Sequence, residues 1–191
     1  LWEMSLYSNQ FPDGLSMQIF AYKLEGGQSE LRDDLKEINS LNHYIGMKHI
    51  QVEMFPEFKF LIYILGFFVL FGLVVAFTGS RKLLFAYLVL SVIGGISAMV
   101  DFYLWGYDYG HNLDPSAAIQ VPGYSYQPPL IGHKKLLNFD SYSYPDTGGW
   151  VIVAVTALFS IIWFLEWRKN KKLKKMTLNK KMASASLALF V

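Results

Sequence analysis

The sequence predicts an α-helical integral membrane protein with three transmembrane helices and a small mixed α/β portion outside the cytoplasm. The first observation behind this fold class is composition, because 53% of the 191 residues are hydrophobic and the mean hydropathy is +0.27. The second is the presence of three long uncharged runs, and the third is the uneven placement of charge along the chain. The absence of cysteine excludes disulfides, thiolate metal sites and cysteine nucleophiles.

The three uncharged runs are long enough to cross a bilayer. Residues 60–78 and 83–100 form a predicted transmembrane hairpin within residues 58–100, and a third helix is predicted over residues 148–167. At 1.5 Å per residue the first run would be about 28 Å long, close to the thickness of the hydrocarbon core. A buried helix of a soluble protein is the alternative, but such helices are usually shorter and carry a polar stripe.

The distribution of charge predicts the orientation of these helices. The turn at residues 79–82 and the tail from Glu166 onward together carry a formal charge of +9, whereas residues 1–59 and 101–149 together carry −7. Because positive segments remain in the cytoplasm, the basic tail at 168–191 is predicted to be cytoplasmic. Residues 1–57 and 101–147 are then extracytoplasmic, which in a Gram-negative cell would be the periplasm.

Two expectations concern the ends of the chain. An extracytoplasmic N-terminal region must be carried across the membrane, and the sequence begins at Leu1 rather than methionine. We therefore expect a cleaved signal peptide or a fourth, N-terminal transmembrane helix before it. The tail is interpreted as a surface segment that contacts anionic lipid rather than nucleic acid, although its basic and then apolar order also resembles the start of a secretory signal.

The first extracytoplasmic region is predicted to contain strands and one helix. Two alternating runs within residues 1–22, separated by the turn sequence NQFPDG, indicate a strand pair. From Ser29, a possible N-cap, the spacing of Leu31, Leu35, Ile38 and Leu41 indicates a short amphipathic helix.

The second extracytoplasmic region, 101–147, is predicted to be a long connection. It is rich in proline, glycine and tyrosine, and the aromatic residues at its start are typical of the bilayer interface. Gly106 and Gly110 argue against continuation of the second transmembrane helix into this region.

All four histidines lie in the extracytoplasmic regions, where two groups could bind a metal. His43 and Met47 would share a face if they lay on one helical turn, and imidazole with thioether suits copper, particularly Cu(I). The alternative is that Met47 is a buried contact and that His43 is a hydrogen-bonded loop residue. His49 is a further candidate ligand.

The second group consists of Asp108 and His111, with Asp101 and with His133 from the loop. If the second span continued outward as a helix, the two aspartates and His111 would lie on one side of it. This donor set could hold Cu(II), zinc or iron. The alternative is that the aspartates are hydrogen-bonding caps of an aromatic cluster.

Other functional signals are absent from the sequence. There is no phosphate-binding loop, zinc-protease motif or nucleophile elbow, so enzymatic activity is not expected. The spans contain no Asp, Glu, Lys, Arg or His, which argues against a pump or a proton-coupled transporter. Ser91 with Gly95, and Gly94 with Ala98, have the small-residue spacing of helix contacts.

Three short motifs carry a resemblance to a known family. The stretches LNHYIGM (41–47), YDYGHNLDP (107–115) and YQPPLIG (126–132), followed by GGW at the start of the last span, resemble small multi-pass bacterial inner-membrane proteins. That family is associated with nitrous oxide reductase gene clusters, beside the copper-binding accessory lipoprotein. The resemblance covers most of residues 1–167 and implies an additional N-terminal span and a role in supplying or holding copper. His43, Met47, Asp108 and His111 fall inside the motifs, and His133 lies just outside one of them.

The sequence therefore supports three hypotheses. The leading one is a non-enzymatic accessory protein that contacts membrane lipid and docks other membrane or periplasmic proteins, and that binds copper transiently. The second is a structural subunit of a larger membrane complex with no metal of its own. The third is a copper-dependent membrane enzyme that uses Asp108, His111 and His133.

Overall fold

The structure is a computed structural model that describes residues 1–29 and 32–188. Within them the chain forms two groups of elements, long apolar helices and a small antiparallel sheet with one covering helix. In chain order the elements are β1 (Trp2–Ser8), β2 (Phe11–Ile19), β3 (Leu24–Gly26), β4 (Gln28–Ser29), β5 (Arg32–Asp33), α1 (Asp34–Tyr44), α2 (Leu61–Thr78), α3 (Arg81–His111), β6 (Gly132–Leu136), β7 (Phe139–Pro145) and α4 (Thr147–Ala188). Two short 3₁₀ turns, Val52–Met54 and Pro56–Lys59, lie between α1 and α2.

Three of the helices, α2, α3 and α4, are long and apolar enough to cross a membrane. This confirms the three predicted apolar helices. Helix α2 ends at Gly79, whose left-handed backbone (φ 57°) turns the chain directly into α3. Where the helices meet, Val75, Leu84 and Tyr87 are buried, with Phe159 of α4 packed against them. Most of the other apolar side chains on these helices are exposed, as expected for surfaces that face lipid.

Helix α3 continues to His111, so the expectation that Gly106 and Gly110 would end it is wrong. Gly110 is present because another segment passes very close to the helix. A Cβ atom at position 110 would lie 2.2 Å from the backbone nitrogen of Gln127. The neighbouring Tyr126 donates its backbone N–H to the Gly110 carbonyl oxygen over 2.9 Å. Glycine here permits close packing on a helix rather than breaking the helix.

The principal sheet has five antiparallel strands in the order β3-β2-β1-β7-β6. Strands β1 and β2 confirm the predicted strand pair, with Met4 opposite Met17. On its other side β1 pairs with β7 from Trp2 opposite Pro145 to Tyr7 opposite Asp140. The two regions that are predicted separately, one before α2 and one between α3 and α4, thus build one sheet.

Helix α1 begins four residues later than the sequence pattern indicates, and its cap is a different residue. The side chain of Asp33 accepts hydrogen bonds from the backbone N–H groups of Leu35 and Lys36, so Asp33 rather than Ser29 is the N-cap. Ser29 lies in β4. Leu31, which the predicted helical spacing includes, lies outside the described residues, as do residues 189–191 of the tail.

One hydrophobic core joins the sheet, α1, the C-terminal end of α3 and the loop that follows α3. Its buried members are Leu15, Met17, Leu24, Ile38, Met47, Ile50, Tyr109 and Tyr126. We call this unit, residues 1–29, 32–59 and 101–146, the sheet domain.

Candidate functional site

The first predicted metal group is only partly assembled. Helix α1 ends at Tyr44, so His43 and Met47 do not share a helical turn. Met47 is 8% exposed and belongs to the core, whereas His43 is exposed. The nearer imidazole is that of His49, also exposed, whose ring centroid lies 6.1 Å from that of His43.

An acidic side chain lies close to this histidine pair. Asp114 accepts two hydrogen bonds from Ser116, which lower the pKa of the carboxyl group, and the charge of His43 lowers it further by a smaller amount. Asp114 is not among the sequence candidates, because it is distant along the chain. The loop reaches the end of α1 through the hydrogen bond from the Asp114 backbone N–H to the carbonyl oxygen of Gly46, at 2.8 Å.

Asp101, Asp108 and His111 of the second predicted metal group lie on the continuous helix α3, but Asp108, His111 and His133 each contact a different residue. Lys48 donates to Asp108 over 2.6 Å, which lowers the pKa of that carboxyl group. His111 stacks on Tyr107 with ring centroids 4.1 Å apart. Nε2 of His133 lies 2.8 Å from the carboxylate of Asp140. Within residues 1–29 and 32–188, no three His, Cys, Asp or Glu side chains come together in a group that could hold a metal ion.

The sheet domain contains an apolar cavity of about 310 Å³, here called the sheet-domain cavity. It lies between the sheet, α1 and the C-terminal end of α3. Its lining residues carry no charge. They include three methionines, five aromatic residues and several aliphatic ones: Met4, Met17, Met47, Tyr44, Trp105, Tyr109, Tyr126, Phe139, Leu6, Ile38, Leu41, Ile45, Ile50 and Leu136.

The cavity has a buried floor and an exposed rim. Its deeper lining comes from core residues such as Met17 and Tyr109, whereas Gln10, Ile119 and Asn138 on its rim are exposed. Gln10 lies in the β1–β2 turn, and Asn138 lies in the β6–β7 turn. Both turns are at the end of the sheet opposite to α4, so the rim faces away from the long helices.

Two residues that line the cavity each carry a buried polar atom that has no partner among the described residues. These atoms are the indole Nε1 of Trp105 and the phenolic oxygen of Tyr126. Leaving such a group unsatisfied typically costs about 1–3 kcal/mol, so a native protein retains few of them without a functional reason. Tyr109, on the same wall, is satisfied instead, because the side-chain amide of Asn42 donates to its hydroxyl group.

Local sequence patterns indicate little of this cavity. They offer Met47 either as a metal ligand or as a buried contact, and they place Trp105 and Tyr109 at the membrane interface. The structure shows Met47 as the buried contact. In the structure all three line the cavity. The continuation of α3 beyond its apolar segment, as far as His111, carries the two aromatic residues over the sheet.

A second apolar groove runs along α3 where that helix leaves its apolar segment. It is open and is lined by Gly95, Ile96, Met99, Val100, Tyr103 and Leu130. Of the predicted small-residue contacts, Gly94 faces Phe68 of α2 across 3.8 Å, whereas nothing lies within 4 Å of a Cβ placed on Gly95. The face of α3 that carries Gly94 is therefore covered by α2. The face that carries Gly95 is not covered by any of the described residues.

The search for related proteins found no family model, no curated protein and no solved structure that matches this chain.

Proposed function

We propose that this chain is a non-enzymatic accessory protein of a bacterial inner membrane, in which α2, α3 and α4 span the bilayer and hold the sheet domain outside the cytoplasm. The pairing of β1 with β7 carries this proposal. That pairing requires the segment before α2 and the segment between α3 and α4 to lie on the same side of the membrane. The α2–α3 hairpin satisfies this requirement, since two crossings return the chain to the side on which it started.

The contacts of the basic segments support the same topology. Arg81, the first residue of α3 after the α2–α3 turn, donates to the carboxylate of Glu166, just beyond the apolar part of α4. The turn and the basic tail therefore lie at one end of the helices, and the sheet domain lies at the other. Under the positive-inside rule the basic end is cytoplasmic.

Labelling of single cysteines tests this orientation, and the natural chain provides a cysteine-free background. Asn9→Cys lies in an exposed turn of the sheet domain, and Lys175→Cys lies on the exposed basic part of α4. In intact spheroplasts a membrane-impermeant maleimide should label only Asn9→Cys, and Lys175→Cys should become reactive after permeabilisation. The reverse pattern would contradict the proposed orientation.

The proposed biochemical role is transient copper handling for a copper enzyme outside the membrane, either directly or by docking a copper chaperone. This role is drawn from the family resemblance, and the exposed His43 and His49 rings support it. Two adjacent imidazoles fit copper as ligands, and the Asp114 carboxylate nearby offers an oxygen donor. The buried thioether of Met47 does not fit the same site, because it faces the core.

Copper analysis of the purified full chain after Cu(I) loading and desalting tests this role. A His43→Ala/His49→Ala double variant should lose the bound copper, whereas His111→Ala, a histidine held against its own helix, should retain it. No copper in the natural chain, or equal copper in all three proteins, would contradict the assignment of this pair.

A structural subunit of a larger membrane complex is the second candidate, and the open face of α3 favours it. A helix of a partner protein could pack against Gly95, because no side chain of the described residues covers that position. Under this alternative, Gly95→Leu should abolish co-purification of a membrane partner, while Ala154→Leu on the exposed surface of α4 should not. Equal recovery of the partner with both variants would argue against this contact.

A further inference from the structure

We propose that the sheet-domain cavity is a binding site for a small, uncharged, largely apolar molecule that carries a hydrogen-bonding oxygen. This site is separate from the histidine pair, and it does not depend on copper binding. The size, charge, hydrogen-bonding groups and access of the cavity each support the assignment.

The size of the cavity is in the range of ligand sites. Protein interiors are close-packed, and small-molecule sites typically start at about 300 Å³. An engineered apolar cavity of about 150 Å³ already binds benzene, and the sheet-domain cavity is about 310 Å³. It therefore has room for a two-ring aromatic molecule or an alkyl chain of comparable volume.

The lining determines the chemical class of the ligand. None of the lining residues is Asp, Glu, Lys, Arg or His, so a charged ligand would lose its hydration without gaining a counter-charge. Met4, Met17 and Met47 surround the space with flexible, polarizable side chains, which adapt to aromatic and aliphatic ligands alike. An uncharged apolar molecule matches this lining.

The unpartnered polar atoms indicate where an oxygen of the ligand would bind. Tyr126 is 3% exposed, and its hydroxyl group has no partner among the described residues. The indole N–H of Trp105 on the same wall is also unpartnered there and can only donate. A carbonyl, ether or hydroxyl oxygen would accept a hydrogen bond from either group, which adds orientation to an otherwise apolar site.

The position of the rim indicates the route of entry. Gln10 and Asn138 of the rim lie in turns at the end of the sheet opposite to α4, and the rim residue Ile119 is exposed, so the cavity opens toward water rather than toward the bilayer. A ligand would therefore enter from the aqueous phase.

The proposal is tested by equilibrium dialysis, which measures the binding of prodan, an uncharged aromatic ketone, to the full chain in lipid nanodiscs. Empty nanodiscs with the same lipid content serve as the blank for partitioning into the bilayer. The chain should bind prodan saturably above this blank, at about one molecule per chain. Absence of a saturable excess would overturn the proposal.

Two matched variants locate the bound probe. Ile119→Trp places a bulky ring on the exposed rim and should abolish the saturable binding. Ile131→Trp, at an exposed loop position that does not line the cavity, should leave it unchanged. Equal binding by both variants would place the probe elsewhere and overturn the assignment.

A third variant tests the hydrogen-bonding end. Tyr126→Phe removes the hydroxyl group without breaking a hydrogen bond among the described residues, so the fold should be retained. Its affinity for prodan should fall about 3- to 10-fold, the effect of one hydrogen bond. Unchanged affinity in both Tyr126→Phe and Trp105→Phe would show that the wall supplies no hydrogen bond, and would overturn that part of the proposal.

Discussion

The side-chain amide of Asn42 donates a hydrogen bond to the hydroxyl group of Tyr109, 67 residues away along the chain, and both side chains are buried. Asn42 lies on α1, whereas Tyr109 lies on α3 beyond its apolar segment. This bond therefore ties the covering helix of the sheet domain to a helix that is long and apolar enough to cross a membrane. It also forms part of the wall of the sheet-domain cavity.

Removing the hydroxyl group of Tyr109 should destabilise the protein. Tyr109→Phe leaves the amide N–H of Asn42 buried without its partner, which typically costs about 1–3 kcal/mol of unfolding free energy. The control is Tyr103→Phe on the same helix, where the tyrosine is exposed and the change should stay within about 0.5 kcal/mol. Denaturation of both variants in identical nanodiscs checks this expectation, and equal stability would show that the buried bond contributes nothing.

The burial of Tyr109 should also make the protein less stable at alkaline pH. Burial raises the pKa of Tyr109 well above its ordinary value of 10.0, while the hydrogen bond from Asn42 offsets part of the rise. The folded state therefore keeps its proton when the unfolded state has lost it. The stabilisation is complete below about pH 10 and is lost as the pH rises toward the folded-state pKa, at about 1.4 kcal/mol per pH unit.

Measurement of unfolding free energy between about pH 9 and about pH 11 checks this slope. Burial also raises the pKa of Tyr126, so the natural chain should show contributions from both residues. Tyr109→Phe should flatten the curve and Tyr103→Phe should not. Parallel curves for all three proteins would contradict the predicted shift.

Some sequence patterns are informative about this fold and others are not. The apolar helices are predictable because a run of nearly twenty uncharged residues is rare outside a bilayer-spanning helix. Strands β6 and β7 escape prediction because the usual alternation is inverted there. Ser141 and Ser143 are the buried positions of β7, while Tyr144 is exposed. A search for buried apolar residues on alternate positions cannot detect a strand whose inward side chains are serines.

The histidine pair escapes prediction for a different reason. His43 and His49 are brought together by the turn at Gly46, whose backbone has a positive φ of 79°. A helical spacing rule pairs His43 with Met47 instead, because it assumes that α1 continues. Contacts made across such a turn, or between α1 and the loop that carries Asp114, depend on tertiary structure and have no local pattern.

The backbone of Gln127 lies so close to Gly110 that a methyl group at position 110 should destabilise the protein. Gly110→Ala would place its Cβ 2.2 Å from the Gln127 nitrogen, and backbone atoms cannot yield as a side chain does. The loop would have to move away from α3, at a cost of roughly 1–3 kcal/mol. Gly66→Ala in α2 is the matched control, because nothing lies within 4 Å of a Cβ placed at that position and alanine favours the helix. Comparable stability of the two variants would contradict the packing of this loop.

Ser143 links three separate parts of the sheet domain, so removal of its hydroxyl group should destabilise the protein. It is 0% exposed, its hydroxyl oxygen accepts from the indole N–H of Trp2 over 2.8 Å, and it donates to the carbonyl oxygen of Leu130 over 3.1 Å. Ser143→Ala keeps the volume nearly constant but leaves a buried donor and a buried acceptor unpaired. The unfolding free energy should fall by about 1–3 kcal/mol for each group that remains buried without a hydrogen-bond partner.

The control for this substitution is Ser125→Ala, a half-buried serine in the loop that precedes β6. Trp2 supplies a second readout, because loss of its hydrogen bond should change the emission of that indole, whereas the control should leave emission unchanged. If Ser143→Ala unfolds at the same denaturant concentration as Ser125→Ala, then water replaces the serine hydroxyl or the bonds contribute little. In that case the register of β1 against β7 would depend on the backbone hydrogen bonds alone, and Trp2 would be held mainly by its edge-to-face packing against Phe102.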